Sequence, residues 1–205
     1  MTNITPRYEF RAFAHSFDTI VAKMNELAKE ELSREISEIY LITAATSENN
    51  IKIRNKKMDI KVLVDTKNEL EQWLPNLIGE FPMKAKVLEN EVFPALGISA
   101  PVFEKEEYSL KEFITQIVRD DPDVVAAYTR KTRHSYTING CICEIADVFI
   151  NGAYIQTIAI ESEVPEIVSE TKKLLGFKAN EENINYPKAI KRVIGLEDCK
   201  HQFDW

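Results

Sequence analysis

The chain has 205 residues, of which 44% are hydrophobic, and this is enough to bury one sizeable core within a single domain, residues 1–205. Its 33 acidic residues outnumber the 26 basic ones, and the formal charge of −7 argues against a general nucleic-acid coat protein. No apolar stretch approaches the length of a membrane span, and the N-terminal residues lack the apolar core of a secretion signal. We therefore expect a cytoplasmic protein with no nucleic-acid or membrane partner.

The first part of the chain predicts strands and one helix. Charged and aromatic residues alternate from Arg7 to His15, which is typical of a strand. Ser16 then predicts the start of a helix from Phe17 to about Leu32, whose apolar residues fall on one stripe. Turn-forming residues separate three further predicted strands, near 35–45, 50–55 and 58–64.

The middle of the chain, about 66–122, loses the alternation of a strand and contains several prolines. We predict a helical insertion here, with one helix from Ser109 to Arg119. Trp73 and Pro75 are interpreted as part of a core, with substrate contact as the alternative.

Two tight turns organise the last third. Asn139-Gly140 and Asn151-Gly152 stand between β-branched and aromatic runs, the preferred residues of two-residue hairpins. They predict antiparallel strands near 124–138, 141–150 and 153–161. Pro165 then opens a helix that Gly176 closes, and a last short helix is predicted near 187–194.

Cysteine and glycine usage exclude several kinds of site. Cys141, Cys143 and Cys199 form no even disulfide framework, and one Cys-x-Cys pair is a weak zinc signature, so we interpret all three as reduced thiols. No Gly-x4-Gly-Lys-Ser/Thr loop is present, which excludes a P-loop nucleotidase. Any phosphate must therefore be held by side chains.

Charged residues recur on strand after strand. Lys52 and Arg54 lie two apart, as do Lys131 and Arg133, and residues two apart in a strand share a face. The other charges of this pattern are Glu9, Lys61, Glu144, Asp147, Glu161 and Glu163.

Two explanations fit this pattern. The charges are either solvated faces of antiparallel strands, stabilised by cross-strand ion pairs, or the lining of a closed barrel. The strand at 124–138 favours the barrel, since Arg130 and His134 occupy one face and Lys131 and Arg133 the other. Buried like charges are costly unless a ligand neutralises them, and a polyphosphate with a divalent metal ion would do so.

The order and spacing of these residues resemble the CYTH superfamily of triphosphate tunnel metalloenzymes, which includes thiamine triphosphatases, tripolyphosphatases and class IV adenylate cyclases. The resemblance covers most of the chain. The matching segments are Lys52-Ile53-Arg54, Asp59-Ile60-Lys61, Lys131-Thr132-Arg133 with Tyr136, the acidic strand Glu144 to Asp147, and Ile158 to Glu163.

The resemblance implies an α+β fold, with an eight-stranded antiparallel β-barrel that forms a tunnel between flanking helices. It implies a metal-dependent phosphohydrolase that acts on a triphosphate, which could be inorganic tripolyphosphate, thiamine triphosphate or a nucleoside triphosphate. The implied phosphate-binding residues are Arg7, Arg11, Lys52, Arg54, Lys61, Lys131 and Arg133. The implied ligands of Mg²⁺ or Mn²⁺ are Glu9 and Glu161, with Glu144, Asp147 or Glu163. Glu9, Glu161 and Lys131 would serve catalysis.

Two positions depart from the family pattern. The N-terminal Glu-x-Glu-x-Lys of the family corresponds here to Arg7-x-Glu9-x-Arg11, so the first glutamate is absent. The late Glu-x-Glu corresponds to Ala159-x-Glu161, unless the register shifts to Glu161-x-Glu163. A non-catalytic module that binds polyphosphate or a nucleotide, an adenylate cyclase and a plain structural barrel therefore stay open, as does a homodimeric state.

Overall fold

The computed structural model describes residues 5–196. The strands are β1 (Tyr8–Ala14), β2 (Leu32–Ile42), β3 (Asn49–Arg54), β4 (Lys57–Lys67), β5 (Leu70–Glu80), β6 (Met83–Lys84), β7 (Glu107–Tyr108), β8 (Val125–Ile138), β9 (Cys141–Ile150) and β10 (Ala153–Ser162). The α-helices are α1 (Asp18–Leu27), α2 (Ala85–Val87), α3 (Phe93–Leu96), α4 (Leu110–Glu112), α5 (Pro165–Leu174) and α6 (Tyr186–Ile194). Two π-helical segments, Leu88–Val92 and Phe113–Val118, follow α2 and α4.

Eight strands form a closed antiparallel barrel in the order β1-β10-β9-β8-β2-β3-β4-β5, and β5 returns to β1. The predicted hairpins β8-β9 and β9-β10 are confirmed. Asn139, Gly140, Asn151 and Gly152 all have positive φ angles, between 48° and 91°, as such two-residue turns require. The predicted α+β fold with an eight-stranded antiparallel barrel is therefore confirmed.

The prediction of short helices from about residue 66 is wrong for its first part. Residues 70–80 form β5, which completes the eight-stranded barrel, and helices occupy only 85–96 and 110–118. Pro75 pairs with Lys61 where the β4-β5 register shifts, so its missing N–H falls at an irregularity of the ladder. The helix predicted from Phe17 to about Leu32 is also shorter than expected. It ends at Leu27, because β2 begins at Leu32.

Helices cover two sides of the barrel and close one end of it. Ile53 and Ile60 point outward and pack against Phe93 and Phe113 of the helical insertion. On another side, α1 and α5 cover the outer faces of β1, β8, β9 and β10. Helix α6 packs through Ile190 on interior side chains of β2, β8 and β9. Polar interior is thus confined to the other end of the barrel.

None of the helices within residues 5–196 is long and apolar enough to cross a membrane. Cys141 and Cys143 are free and buried among apolar side chains, and burial raises the pKa of both thiols. Both are therefore structural, as predicted, whereas Cys199 lies outside the described residues.

Candidate functional site

The barrel interior holds a cavity of about 230 Å³. Its lining contains six basic side chains (Arg11, Lys52, Arg54, Lys61, Lys131, Arg133) and four acidic ones (Glu9, Glu38, Glu144, Glu161). The remaining lining residues are Ile36, Tyr40, Asn50, Trp73, Asn185 and Tyr186. Basic side chains exceed acidic ones by two, so the cavity favours anions.

Strand alternation explains why these charges converge. In β3, Lys52 and Arg54 point inward while Ile51 and Ile53 pack outward under the insertion. The same alternation turns Lys131 of β8 into the cavity and buries Tyr136 under the helices on the other face. The structure brings together nine of the predicted site residues: Glu9, Arg11, Lys52, Arg54, Lys61, Lys131, Arg133, Glu144 and Glu161.

Three predicted site residues do not line the cavity. Arg7 precedes β1 with a half-exposed side chain, and its Nη1 lies 3.5 Å from Glu161 Oε2. Asp147 points to the other face of β9, where it accepts hydrogen bonds from Tyr154 at 2.6 Å and from Gln156 at 2.9 Å. Glu163 follows the end of β10 and is exposed.

Glu38, which was not among the predicted site residues, is the most deeply buried carboxylate of the cavity, with its side chain 2% exposed. Its oxygens lie 2.5 Å from Lys131 Nζ, 3.3 Å from Lys52 Nζ and 3.7 Å from Arg54 Nη1. Burial alone would raise the pKa of Glu38, but Lys131 and Lys52 lower it to about 2. Glu38 is thus an ionised counter-charge for three cations.

Lys131 is the cation most affected by this crowding. Burial lowers its pKa to about 7, because the attraction of Glu38 only partly offsets desolvation and the nearby charges of Lys52 and Arg11. Its Nζ also lies 3.6 Å from the centre of the Tyr186 ring. An anion bound beside Lys131 would therefore raise its pKa and hold it charged.

A second charge network surrounds Arg11. Its Nε donates to Glu9 Oε1 at 2.7 Å, and its Nη1 lies 3.6 Å from Glu144 Oε1. Arg133 forms a short hydrogen bond to the other oxygen of Glu144. Both guanidinium groups are therefore held in place by carboxylates before any ligand arrives.

Glu9 and Glu161 form a carboxylate pair across the β1-β10 ladder, where they are direct register partners. Burial and the charge of Glu9 raise the pKa of Glu161. The pKa of Glu9 is lowered despite its burial, because Arg11 lies beside it. Such a pair is stabilised either by a shared proton or by a cation.

Tyrosines form the floor of the cavity. Tyr186, the first residue of α6, stacks on Tyr40 with ring centres 5.4 Å apart, and Arg11 lies 4.8 Å from its ring. Its hydroxyl is buried without a hydrogen-bond partner within the described part of the chain. Tyr186 lies at the closed end of the barrel, where α6 packs on interior side chains of β2, β8 and β9.

Asn185 connects this floor to the barrel wall. Its Oδ1 accepts a hydrogen bond from the backbone N–H of Lys188 and so caps α6, while its Nδ2 donates to Glu71 at 3.0 Å. The backbone N–H of the preceding Ile184 donates to the carbonyl of Arg11. This segment therefore closes the seam beside β1, which pairs with β5 at only two positions.

Several solved structures share this fold, and two of them are compared with this chain. One is a conserved hypothetical protein from Pyrococcus furiosus, with a TM-score of 0.50 and 21% identity over 88% of this chain and 98% of that one. The other is a candidate adenylyl cyclase from Hippeastrum, described as having a dominant triphosphatase activity. It has a TM-score of 0.51 and 15% identity over 96% of this chain and 100% of that one. No protein-family model matches the sequence, and no curated protein matches it.

Proposed function

We propose that this protein belongs to the CYTH superfamily and is a divalent-metal-dependent phosphohydrolase that binds a triphosphate in the barrel cavity. The observation that carries the proposal is the convergence of six basic side chains and the Glu9–Glu161 pair in one cavity closed at its floor. The triphosphatase activity described for the Hippeastrum protein of the same fold supports it.

The basic side chains suit the oxygens of a phosphate chain. Arg11 and Arg133 are pre-oriented by Glu144, so they lose little side-chain freedom when they grip phosphate. Lys52 and Lys131 extend the cationic wall towards the floor. Charge that develops on the transferred phosphoryl group would be stabilised by this wall, which is the main requirement of phosphoryl transfer.

A metal ion in this cavity would need ligands from the substrate as well as from the protein. Residues 5–196 contain no group of three or more His, Cys, Asp or Glu side chains placed to hold a metal ion. Mg²⁺, however, is commonly bound by one or two carboxylates together with phosphate oxygens and water. Glu9 and Glu161 provide such a pair, and Mg²⁺ or Mn²⁺ held there would orient a water molecule for in-line attack.

Phosphate release from tripolyphosphate with Mg²⁺ or Mn²⁺ tests this proposal. We expect Glu161→Ala to lower the rate by about 100-fold or more, because it removes half of the carboxylate pair. Glu163→Ala tests the shifted register and should change the rate little, since Glu163 is exposed outside the cavity. A rate unaffected by Glu161→Ala or by chelation of the metal would refute the proposal.

A second candidate is a binding module that grips polyphosphate without cleaving it. It is favoured by Ala159, which is fully buried and pairs across the strands with Arg11 and Glu144. The family pattern places a carboxylate at this position. Tripolyphosphate binding that survives chelation, with no phosphate release under any metal, would establish this candidate over the hydrolase.

The cytoplasmic location remains a prediction, and the oligomeric state stays open, with a homodimer as one alternative. Sedimentation of the purified protein would decide the oligomeric state directly.

A further inference from the structure

Two apolar side chains line the cavity without contributing to a core. Trp73 on β5 and Ile36 on β2 are half-buried, and neither is part of the three apolar clusters formed by residues 5–196. Trp73 also has no aromatic neighbour in this part of the chain. The core role predicted for Trp73 therefore does not account for its position. Phosphate oxygens do not stack on the apolar face of an indole ring, so a phosphate chain alone does not account for it either.

Burial separates the lining into a floor and a rim. The fully buried lining residues form the floor, which contains, besides the tyrosines Tyr40 and Tyr186, the side chains of Arg11, Glu38, Lys131, Glu144 and Asn185. The half-buried ones, which we call the rim, are Glu9, Ile36, Asn50, Lys52, Arg54, Lys61, Trp73, Arg133 and Glu161. Both aliphatic and indole surface thus occur at the rim, while the floor is charged apart from its tyrosine rings and Asn185.

Lys61 connects the indole to the phosphate-binding wall. In the β4-β5 ladder, Lys61 pairs with Pro75 and Leu63 pairs with Trp73, so Lys61 and Trp73 line the cavity from neighbouring strands. Within residues 5–196, Lys61 has no carboxylate oxygen within 4.0 Å, unlike the other five basic lining residues. A phosphate bound at Lys61 would place its ester substituent near Trp73.

We propose that the ligand is a triphosphate ester of a planar heteroaromatic group, such as a nucleoside triphosphate, rather than inorganic tripolyphosphate. The phosphate tail enters first, and the planar group stays at the rim, where it stacks on Trp73 and contacts Ile36. This inference rests on the proposed use of the cavity as a triphosphate site. It names the substrate class, which the charges alone leave open.

Calorimetric binding of ATP and of tripolyphosphate, with Mg²⁺ present, tests this assignment. We expect Trp73→Ala to weaken ATP binding about 10-fold, the size of a lost base–aromatic stack, and tripolyphosphate binding less than about 2-fold. Trp73→Phe keeps an aromatic face and should retain most of the ATP affinity. Leu74→Ala is the matched control, because Leu74 is the exposed neighbour of Trp73 on the opposite face of β5.

The outcomes separate this inference from the proposed hydrolysis. A selective loss of ATP affinity without phosphate release by the natural protein would support the ester-binding role and refute the hydrolase. Equal losses for both ligands, or no loss for ATP, in Trp73→Ala would overturn the inference and leave the hydrolase standing. Failure of the natural protein to bind either ligand would overturn both.

Discussion

Glu38→Gln tests whether the buried cations of the cavity depend on one carboxylate. The substitution keeps the shape of the side chain but removes the charge that faces Lys131 at 2.5 Å and Lys52 at 3.3 Å. Breaking a buried ion pair by removing one partner costs about 3–5 kcal/mol, because the other charge stays buried. Asp59 still lies 3.3 Å from Arg54, so we expect a loss near the lower end, about 3 kcal/mol.

For a chain of this size, a loss of about 3 kcal/mol lowers the melting temperature by roughly 6–12 °C. Thermal and urea unfolding at neutral pH and low salt measure it. Glu35→Gln is the matched control, since Glu35 lies in the same strand but is exposed, and should cost less than about 0.5 kcal/mol.

An anion should replace the missing carboxylate. We therefore expect tripolyphosphate to raise the melting temperature of the Glu38→Gln variant by more than that of the natural protein. Equal stability of the two Gln variants, or an equal response to tripolyphosphate, would show that Glu38 does not neutralise these cations.

Three further predictions concern other parts of the site. Ala159→Glu should raise Mn²⁺ affinity, measured by calorimetry, because it adds a buried carboxylate two residues from Glu161; an unchanged affinity would place the metal elsewhere. Free Lys131 has its pKa lowered to about 7 and must therefore take up a proton when tripolyphosphate binds above that pH. The affinity for tripolyphosphate should fall as the pH rises from 7 to 9, by up to about 10-fold per pH unit. Lys131→Arg should abolish this pH dependence. Asn185→Ala should lower the free energy of unfolding in urea by about 2 kcal/mol, because α6 loses its N-terminal cap and Glu71 loses a buried hydrogen-bond donor. A decrease of less than about 0.5 kcal/mol would contradict this role.

The sequence predicted the barrel well where local chemistry is decisive. Asn139-Gly140 and Asn151-Gly152 specify their turns by the backbone angles that they tolerate, and the strands around them follow. Alternation likewise placed Lys131 and Arg133 on one face, because the side-chain period of a strand admits no other arrangement. Both signals operate within a few residues of chain.

Strand β5 shows where such local signals end. Its proline and its lack of alternation indicated a non-strand segment, but pairing with β4 along almost its whole length outweighs both. Proline is tolerated at the register shift between β4 and β5. On its other side, β5 pairs with β1 only at its start, so most backbone groups on that side of β5 form no strand pairs within residues 5–196. Long-range pairing of this kind cannot be read from composition.

Glu38 and Tyr186 were missed as floor residues for a related reason. Glu38 shares the inward face of β2 with Ile36 and Tyr40, and this single charge between apolar residues was the available signal. The position of Tyr186 depends on α6 packing inside the barrel end, a contact between segments that are far apart in the chain. No spacing within the sequence records that contact.

The cavity is preorganised for anions because it contains its own anions. Arg11 and Arg133 are held by Glu144, and Lys131 by Glu38, so the basic side chains reach their positions without a ligand. A phosphate bound as proposed would not order these side chains but would compete with the carboxylates for them, which would lower its affinity and raise the selectivity for highly charged ligands. A monophosphate offers too little charge to displace several carboxylates at once, whereas a triphosphate can engage the floor and the rim together. The local excess of basic side chains would allow a protein with a formal charge of −7 to bind polyanions in this cavity, as proposed.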